Sequence, residues 1–172
     1  MAKLPILVAP HPTLKAKAKK VTEFTPALKS FADDMLETMY DAPGIGLAAN
    51  QVDDLRRIFV MDCSARDDNA TPYQIVNPVI TWVSDDVGFY EEGCLSLPEQ
   101  YADVERPLEV KIDYQDVEGN KHSKHFAGLE ATCVQHEIDH LDGKLFVDYL
   151  SPLKRNMLMK KLRKTMKERG DA

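Results

Sequence analysis

Two histidines stand four residues apart late in the chain, and a glutamate directly follows the first of them. Residues 135–140 read QHEIDH, so the histidines are His136 and His140 and the acid is Glu137. If this segment is helical, the two imidazoles lie on one face, about 5–6 Å apart, where both can bind the same metal ion. Glu137 lies one position further round the helix and can exchange a proton with a water molecule without binding the ion. The pattern therefore predicts a catalytic metal site.

Such a site needs a third protein ligand, and Cys94 is the best candidate. A cysteine taken alone is more often a small buried apolar residue, but no histidine follows His140. His122 and His125 are alternatives upstream, and their i, i+3 spacing on a predicted strand places them on opposite faces, so we expect both to be exposed. A Cys94 thiolate with the two histidines leaves a fourth position open for water, as in catalytic sites.

A turn of small residues is predicted at residues 44–51, which read GIGLAANQ. Gly44 and Gly46 permit positive φ and let a ligand approach the backbone closely, and the Gln51 amide can donate a hydrogen bond to a developing oxyanion. A tight turn without function is equally compatible with this segment alone, because the third glycine of a dinucleotide loop is missing.

Composition indicates an ordinary globular protein. The chain has 172 residues, of which 44% are hydrophobic and 29% charged, and its net charge is -6. Residues 151–172 hold eight Lys/Arg against two acids, so an acidic body carries a basic tail. Three widely spaced cysteines form a poor disulfide framework and favour a reducing compartment, and no apolar run predicts export or membrane insertion.

The two histidines require a helix with a buried side. Val134, Ile138 and Leu141 recur at helical spacing and provide an apolar stripe, and Gly143 is typical of a helix end. We therefore predict that the metal-binding helix spans residues 129–141.

The remaining pattern predicts elements around this helix. Thr25-Pro26 and Ser151-Pro152 are each typical of a helix start. Further apolar or alternating runs predict strands at residues 57–62, 74–83, 108–114 and 121–126, with a polar loop at 64–71. We predict an α+β fold in which small, mostly antiparallel sheets pack around a central metal-binding helix, with an N-terminal and a C-terminal helix. One catalytic domain is expected over residues 1–172, ending in a basic helix at about 151–169.

Three segments together resemble the peptide deformylases. That family is marked by G-x-G-x-A-A-x-Q, E-G-C-L-S and Q-H-E-x-D-H, and residues 44–51, 92–96 and 135–140 match all three in order. The resemblance covers essentially the whole chain. It implies hydrolysis of the formyl group from the N-terminal formyl-methionine of newly made polypeptides, with release of formate. A metal-bound hydroxide would attack, with Glu137 as general acid/base.

The resemblance also implies roles for individual residues. The side-chain amide of Gln51 and the backbone N–H of Leu95 would hold the oxyanion, together with the metal. Gly46 would offer backbone contacts to the substrate, and Ile45 and Cys133 are candidates for the wall of the methionine pocket.

Three further residues are expected to orient this site, and a fourth, Tyr101, departs from the family pattern. Glu92 and Asp139 would orient their neighbours, with Arg106 as a possible partner of Glu92. Some relatives carry a basic residue at the position of Tyr101, where it helps to hold the substrate backbone. Tyr101 is not a cation, so we do not expect that contact in its usual form.

Several alternatives concern the metal and the partners. A Cys/His/His set by itself indicates Zn²⁺, whereas the resemblance implies Fe²⁺ natively, with Zn²⁺, Ni²⁺ or Co²⁺ as substitutes. A zinc endopeptidase and an RNA- or ribosome-binding protein with a structural metal are alternative functions. The basic tail could dock on ribosomal RNA or could be a solvated helix face. We expect the bacterial cytoplasm as location, and neither DNA nor a membrane as partner.

Overall fold

The computed structural model describes residues 2–64 and 70–170. Within these, the α-helices are α1 (Pro26–Asp41), α2 (Gly128–Leu141) and α3 (Pro152–Glu168). The strands are β1 (Gly46–Ala48), β2 (Ile58–Met61), β3 (Tyr73–Val83), β4 (Val87–Cys94), β5 (Leu97–Pro107), β6 (Glu109–Gln115) and β7 (Lys121–Ala127). Short 3-10 helices cover Pro12–Lys15, Ala49–Val52 and Phe146–Tyr149. No helix in the described part of the chain is long and apolar enough to span a membrane.

Two antiparallel sheets form the β part of the fold. One has five strands in the order β1-β2-β3-β6-β7, and the other is the hairpin of β4 and β5. The predicted α+β class is confirmed, and the predicted strands at 108–114 and 121–126 are β6 and β7. The β4-β5 hairpin was not predicted. Most of the loop expected at 64–71 lies outside the described residues.

Helices α1 and α2 pack on opposite faces of β2, which explains why this strand is apolar throughout. Its residues Ile58, Phe59, Val60 and Met61 are all fully buried, although side chains alternate between the faces of a strand. Phe59 and Met61 pack in the same cluster as α2, whereas Ile58 and Val60 pack in the cluster of α1. The sheet is therefore covered on both faces at this strand, and α2 has the central position that was predicted.

Helix α1 begins as its sequence predicts. Thr25 is the N-cap, its side chain accepts a hydrogen bond from the backbone N–H of Leu28, and Pro26 is the first helical residue. Met35 and Met39 are buried against the sheet.

The turn predicted for residues 44–51 is instead the short strand β1 followed by the 3-10 helix. Its apolar residues Leu47, Ala48 and Ala49 are fully buried, because they pair or pack with the sheet.

Helix α3 buries only a narrow stripe. Ser151 caps it by accepting a hydrogen bond from the N–H of Lys154, and Leu158 and Leu162 are buried. Leu153, in the first turn of α3, is 71% exposed. The reason is helical geometry, since five residues correspond to about 140° of rotation and turn Leu153 away from the side of Leu158.

Candidate active site

Three side chains converge where α2 meets the hairpin. The Cys94 Sγ lies 3.3 Å from the His140 Nε2, which lies 3.2 Å from the His136 Nε2. The three atoms all lie within 4.8 Å of one another. Both histidines are buried, and their i, i+4 placement on α2 is the predicted one. Cys94, which elimination suggested as the third ligand, is brought to them as the last residue of β4.

Two donors hold the Cys94 sulfur in place. The Gln51 Nε2 lies 3.3 Å from it and the backbone N–H of Ser96 points at it from 3.4 Å. Gln51 is itself fixed, because its Oε1 accepts a hydrogen bond from the N–H of Ala48 and its Nε2 also donates to the Ser96 hydroxyl. Both donors point at the sulfur and fix its position beside the two imidazoles. Ser96 was not predicted to contribute.

A buried ionic network orients His136. Its Nδ1 lies 2.9 Å from the Glu92 carboxylate, which receives two hydrogen bonds from the Arg106 guanidinium at 2.6 and 2.9 Å. Arg106 also donates to Asp139 at 2.9 Å, and the Tyr149 hydroxyl donates to the same Asp139 oxygen at 2.7 Å. Burial and the hydrogen bond to Asp139 raise the pKa of Tyr149 to about 12. The expected pairing of Glu92 with Arg106 is present, and Tyr149 is an addition.

This network decides the protonation of Glu92 and the tautomer of His136. Burial alone would raise the pKa of Glu92, but the hydrogen bonds from His136 and Arg106 hold it below its ordinary value. A carboxylate only accepts hydrogen bonds, so the His136 Nδ1 carries a proton and its Nε2 faces His140. Burial alone would lower the pKa of His136, but the Glu137 charge and hydrogen bonds with Cys94 and Glu92 raise it well above its ordinary value, so a metal ion binding at Nε2 has to displace a proton there.

Glu137 stands beside this cluster with one carboxylate oxygen that has no hydrogen-bond partner among the described residues. The side chain is buried, and among the described residues its Oε1 has no hydrogen-bond partner. Its Oε2 lies 4.0 Å from the Cys133 Sγ. Burial raises the pKa of Glu137 to about 7, and a cation bound nearby would lower it.

A cavity of about 670 Å³ opens over these residues. All the predicted site residues except His140 line it, namely Ile45, Gly46, Gln51, Cys94, Leu95, Cys133, His136 and Glu137. Tyr90, Leu129 and Arg169 also line it and were not predicted, since none belongs to a motif. His122 and His125 are exposed and pair with Asp116 and Glu109, so they lie outside this site.

The residues fit a divalent metal ion. Nitrogen ligands about 2.1 Å from a tetrahedral ion are about 3.4 Å apart, close to the spacing of the two imidazole nitrogens here. Burial, reinforced by neighbouring His136, holds the pKa of His140 well below its ordinary value, so its imidazole is neutral as a ligand must be. One sulfur and two nitrogens form a donor set for Zn²⁺ or Fe²⁺ and not for Mg²⁺ or Ca²⁺.

Comparisons with known proteins agree with this geometry. The sequence model of the polypeptide deformylase family matches residues 3–156. The peptide deformylase of Rhodopseudomonas palustris is 50% identical over 169 residues, which cover 97% of each chain. The crystal structure of a peptide deformylase from Legionella pneumophila has a TM-score of 0.93 at 41% identity, with 99% of both chains covered. That of Ehrlichia chaffeensis in complex with actinonin has a TM-score of 0.90 at 36% identity, with 96% of this chain and 98% of that chain covered. With sequence and fold in agreement over nearly its full length, this chain belongs to the peptide deformylase family.

Proposed function

We propose that the cavity beside α2 is where this peptide deformylase removes the formyl group from the N-terminal formyl-methionine of newly made polypeptides. The observation that carries this proposal is the convergence of Cys94, His136 and His140 next to Glu137, whose Oε1 has no partner among the described residues. A zinc endopeptidase is not supported, because the family is established and the third donor comes from upstream of the helix.

We infer that these three residues bind one divalent metal ion, with Fe²⁺ as the native ion and Zn²⁺, Ni²⁺ or Co²⁺ as substitutes. The bound ion supplies Lewis acidity that makes a water molecule nucleophilic near neutral pH. The family resemblance supports iron, and the donor set is compatible with it. Replacing Cys94 with alanine removes the only sulfur of the set, so we expect a Cys94→Ala variant to lose its metal, as measured by elemental analysis after desalting.

The side chains around the ion account for the proton and charge movements. Glu137 takes a proton from the attacking water and delivers it to the leaving amine, so that water and the formamide become formate and a free amino group. The Gln51 Nε2 and the Leu95 N–H stabilise the negative charge that develops on the formyl oxygen. Donors of this kind contribute roughly 3 kcal/mol each.

The other lining residues position the substrate. Gly46 lines the cavity and packs closely against Glu137 and Cys133, since a side chain there would meet the Cys133 Sγ at 2.8 Å. Ile45 is 40% exposed and Cys133 is buried. We propose that Gly46 contacts the substrate backbone and that Ile45 and Cys133 form part of the methionine pocket.

We further propose that residues 1–172 form one catalytic domain and that this domain works in the bacterial cytoplasm. We also propose that the basic face of α3 contacts the ribosome. Truncation would be a poor test, because α3 buries Leu158 and Leu162. A Lys160→Gln/Lys161→Gln/Lys164→Gln variant removes exposed charges instead. Unchanged affinity for ribosomes in sedimentation would refute the contact.

The central experiment is anaerobic purification, metal analysis and a formate-release assay on a short formyl-methionyl peptide, with its acetylated analogue as control. We expect formate from the formylated peptide only, and an iron-dependent rate that decays in air as thiolate and Fe²⁺ oxidise. Because the Ehrlichia chaffeensis relative was solved with actinonin, we also expect actinonin to inhibit. No formate from fully metallated protein would refute the proposed site.

A further inference from the structure

The mouth of the cavity carries an ion pair that the reaction itself does not use. An Arg169 nitrogen lies 2.7 Å from a Glu99 oxygen, with side chains 45% and 61% exposed, and both residues line the cavity. Arg169 is the one Lys or Arg among the described lining residues, whereas Glu91, Glu92 and Glu137 add three further carboxyl groups. A single cation is thus held at the entrance of an otherwise acidic cavity.

Helix α3 is what brings Arg169 to this place. Leu162 is fully buried in the cluster that contains Leu97 of β5, and the Gln100 Nε2 lies 3.4 Å from the Thr165 hydroxyl. Arg169 follows Thr165 by four residues and so continues on the same side of α3. The end of the helix is therefore anchored against β5 directly beside the cavity mouth.

The backbone at Glu99 is also unusual. Glu99 has φ of 62°, a left-handed conformation that is strained for a residue other than glycine. Its neighbour Gln100 is buried, whereas Glu99 points outward to Arg169. Strain of this kind persists where the surrounding structure requires one orientation, and here it directs a carboxylate to the entrance.

The pair is weak enough to be exchanged. Exposed ion pairs contribute little to protein stability, so a charged group of a bound peptide can replace either partner at little cost. A polypeptide with its formyl-methionine in the cavity must leave through the mouth. The residues that follow methionine therefore pass Glu99 and Arg169.

We propose that Glu99 and Arg169 are specificity-determining residues that respond to the charge of the substrate residues following formyl-methionine. Arg169 attracts acidic side chains at these positions, and Glu99 attracts basic ones and repels acidic ones. In the native enzyme the two effects offset each other, so that polypeptides of either charge are accepted. This inference rests on the proposed function of the cavity.

The test compares three formyl-methionyl peptides that carry Glu, Ala or Lys after methionine and end in an amide, which removes the terminal carboxylate. The readout is the ratio of kcat/KM for the Glu peptide to kcat/KM for the Lys peptide. We expect Arg169→Gln to lower this ratio about threefold and Glu99→Gln to raise it about threefold at low salt, with both shifts shrinking at 1 M salt. Arg163→Gln removes the same charge from an exposed position of α3 that does not line the cavity, and should leave the ratio unchanged.

A ratio that falls in Arg169→Gln and rises in Glu99→Gln would support the proposal. Loss of a purely structural contact between α3 and β5 would instead slow all three peptides alike. Ratios that stay constant, or that move in the same direction in both variants, would overturn it. The alanine peptide tests the function separately. If wild-type enzyme released no formate from it, the proposed function would fail and this inference with it.

Discussion

Replacing Arg106 with methionine tests the buried network that orients His136. The Arg106 and Glu92 side chains are each only 4% exposed and share two hydrogen bonds at 2.6 and 2.9 Å. Methionine retains much of the apolar volume but removes the charge and all five donors. Among the residues that the structure describes, Glu92 would keep His136 as a partner and lose its cation, and the Asp139 carboxylate would keep the Tyr149 hydroxyl.

The expected loss of stability follows from this burial. Removing one partner of a buried ion pair costs about 3–5 kcal/mol, because the other charge is left in a medium that solvates it poorly. A Glu92→Gln/Arg106→Met double variant removes both charges, and its glutamine still accepts a hydrogen bond from His136. We therefore expect the double variant to be roughly 2 kcal/mol more stable than Arg106→Met alone, a clear non-additivity.

Urea unfolding of the metal-free proteins in the presence of a chelator is the appropriate assay, because bound metal would add to the apparent stability. Arg155→Met is the matched control. Arg155 pairs with Asp148 at 3.8 Å, with a side chain that is 44% exposed, so its loss should change the free energy of unfolding by about 1 kcal/mol or less. An Arg106→Met loss as small as that of the control, or a double variant as unstable as the sum of the single variants, would refute the reasoning.

Three other changes test the site and the fold around it. Glu137→Gln keeps the side-chain shape but cannot accept a proton, so kcat should fall about 10²–10⁴-fold while elemental analysis finds the metal retained; normal turnover would exclude the assigned role. Gly46→Ala would press a methyl group against Glu137 and against the Cys133 Sγ at 2.8 Å. Because this methyl group would displace Glu137, we expect formate release to be about 100-fold slower, and an undiminished rate would contradict this. At Asp62, burial opposes ionisation, but hydrogen bonds led by that from Ser64 hold its pKa below the ordinary value. The resulting stability is present above about pH 4 and is lost as pH falls through the lowered folded value. Asp62→Asn should therefore cost about 1–3 kcal/mol in urea unfolding at pH 7 and less at pH 3, and a difference independent of pH would argue against it.

The parts of the site that sequence could predict depend on short distances along the chain. His136, Glu137 and His140 belong to one helical turn, so their relative placement follows from helix geometry alone. Cys94 was reached by elimination, because nothing in its own segment shows that β4 ends beside α2. Gln51 was suggested by its own turn and Leu95 was assigned through the family resemblance, and both residues line the cavity.

The network around Arg106 needed a hairpin that sequence inspection did not find. Tyr90 and Glu92 share one face of β4, and the register of the hairpin places Ala102, Val104 and Arg106 on the same face of β5. The β4-β5 sheet has only two strands, and its outer positions are polar or exposed, so its apolar alternation is too weak to predict. Once the register is known, however, the burial of Val104 fixes this face as the inner one. A glutamate and an arginine on an inward face must then pair with each other, because neither charge could be buried alone.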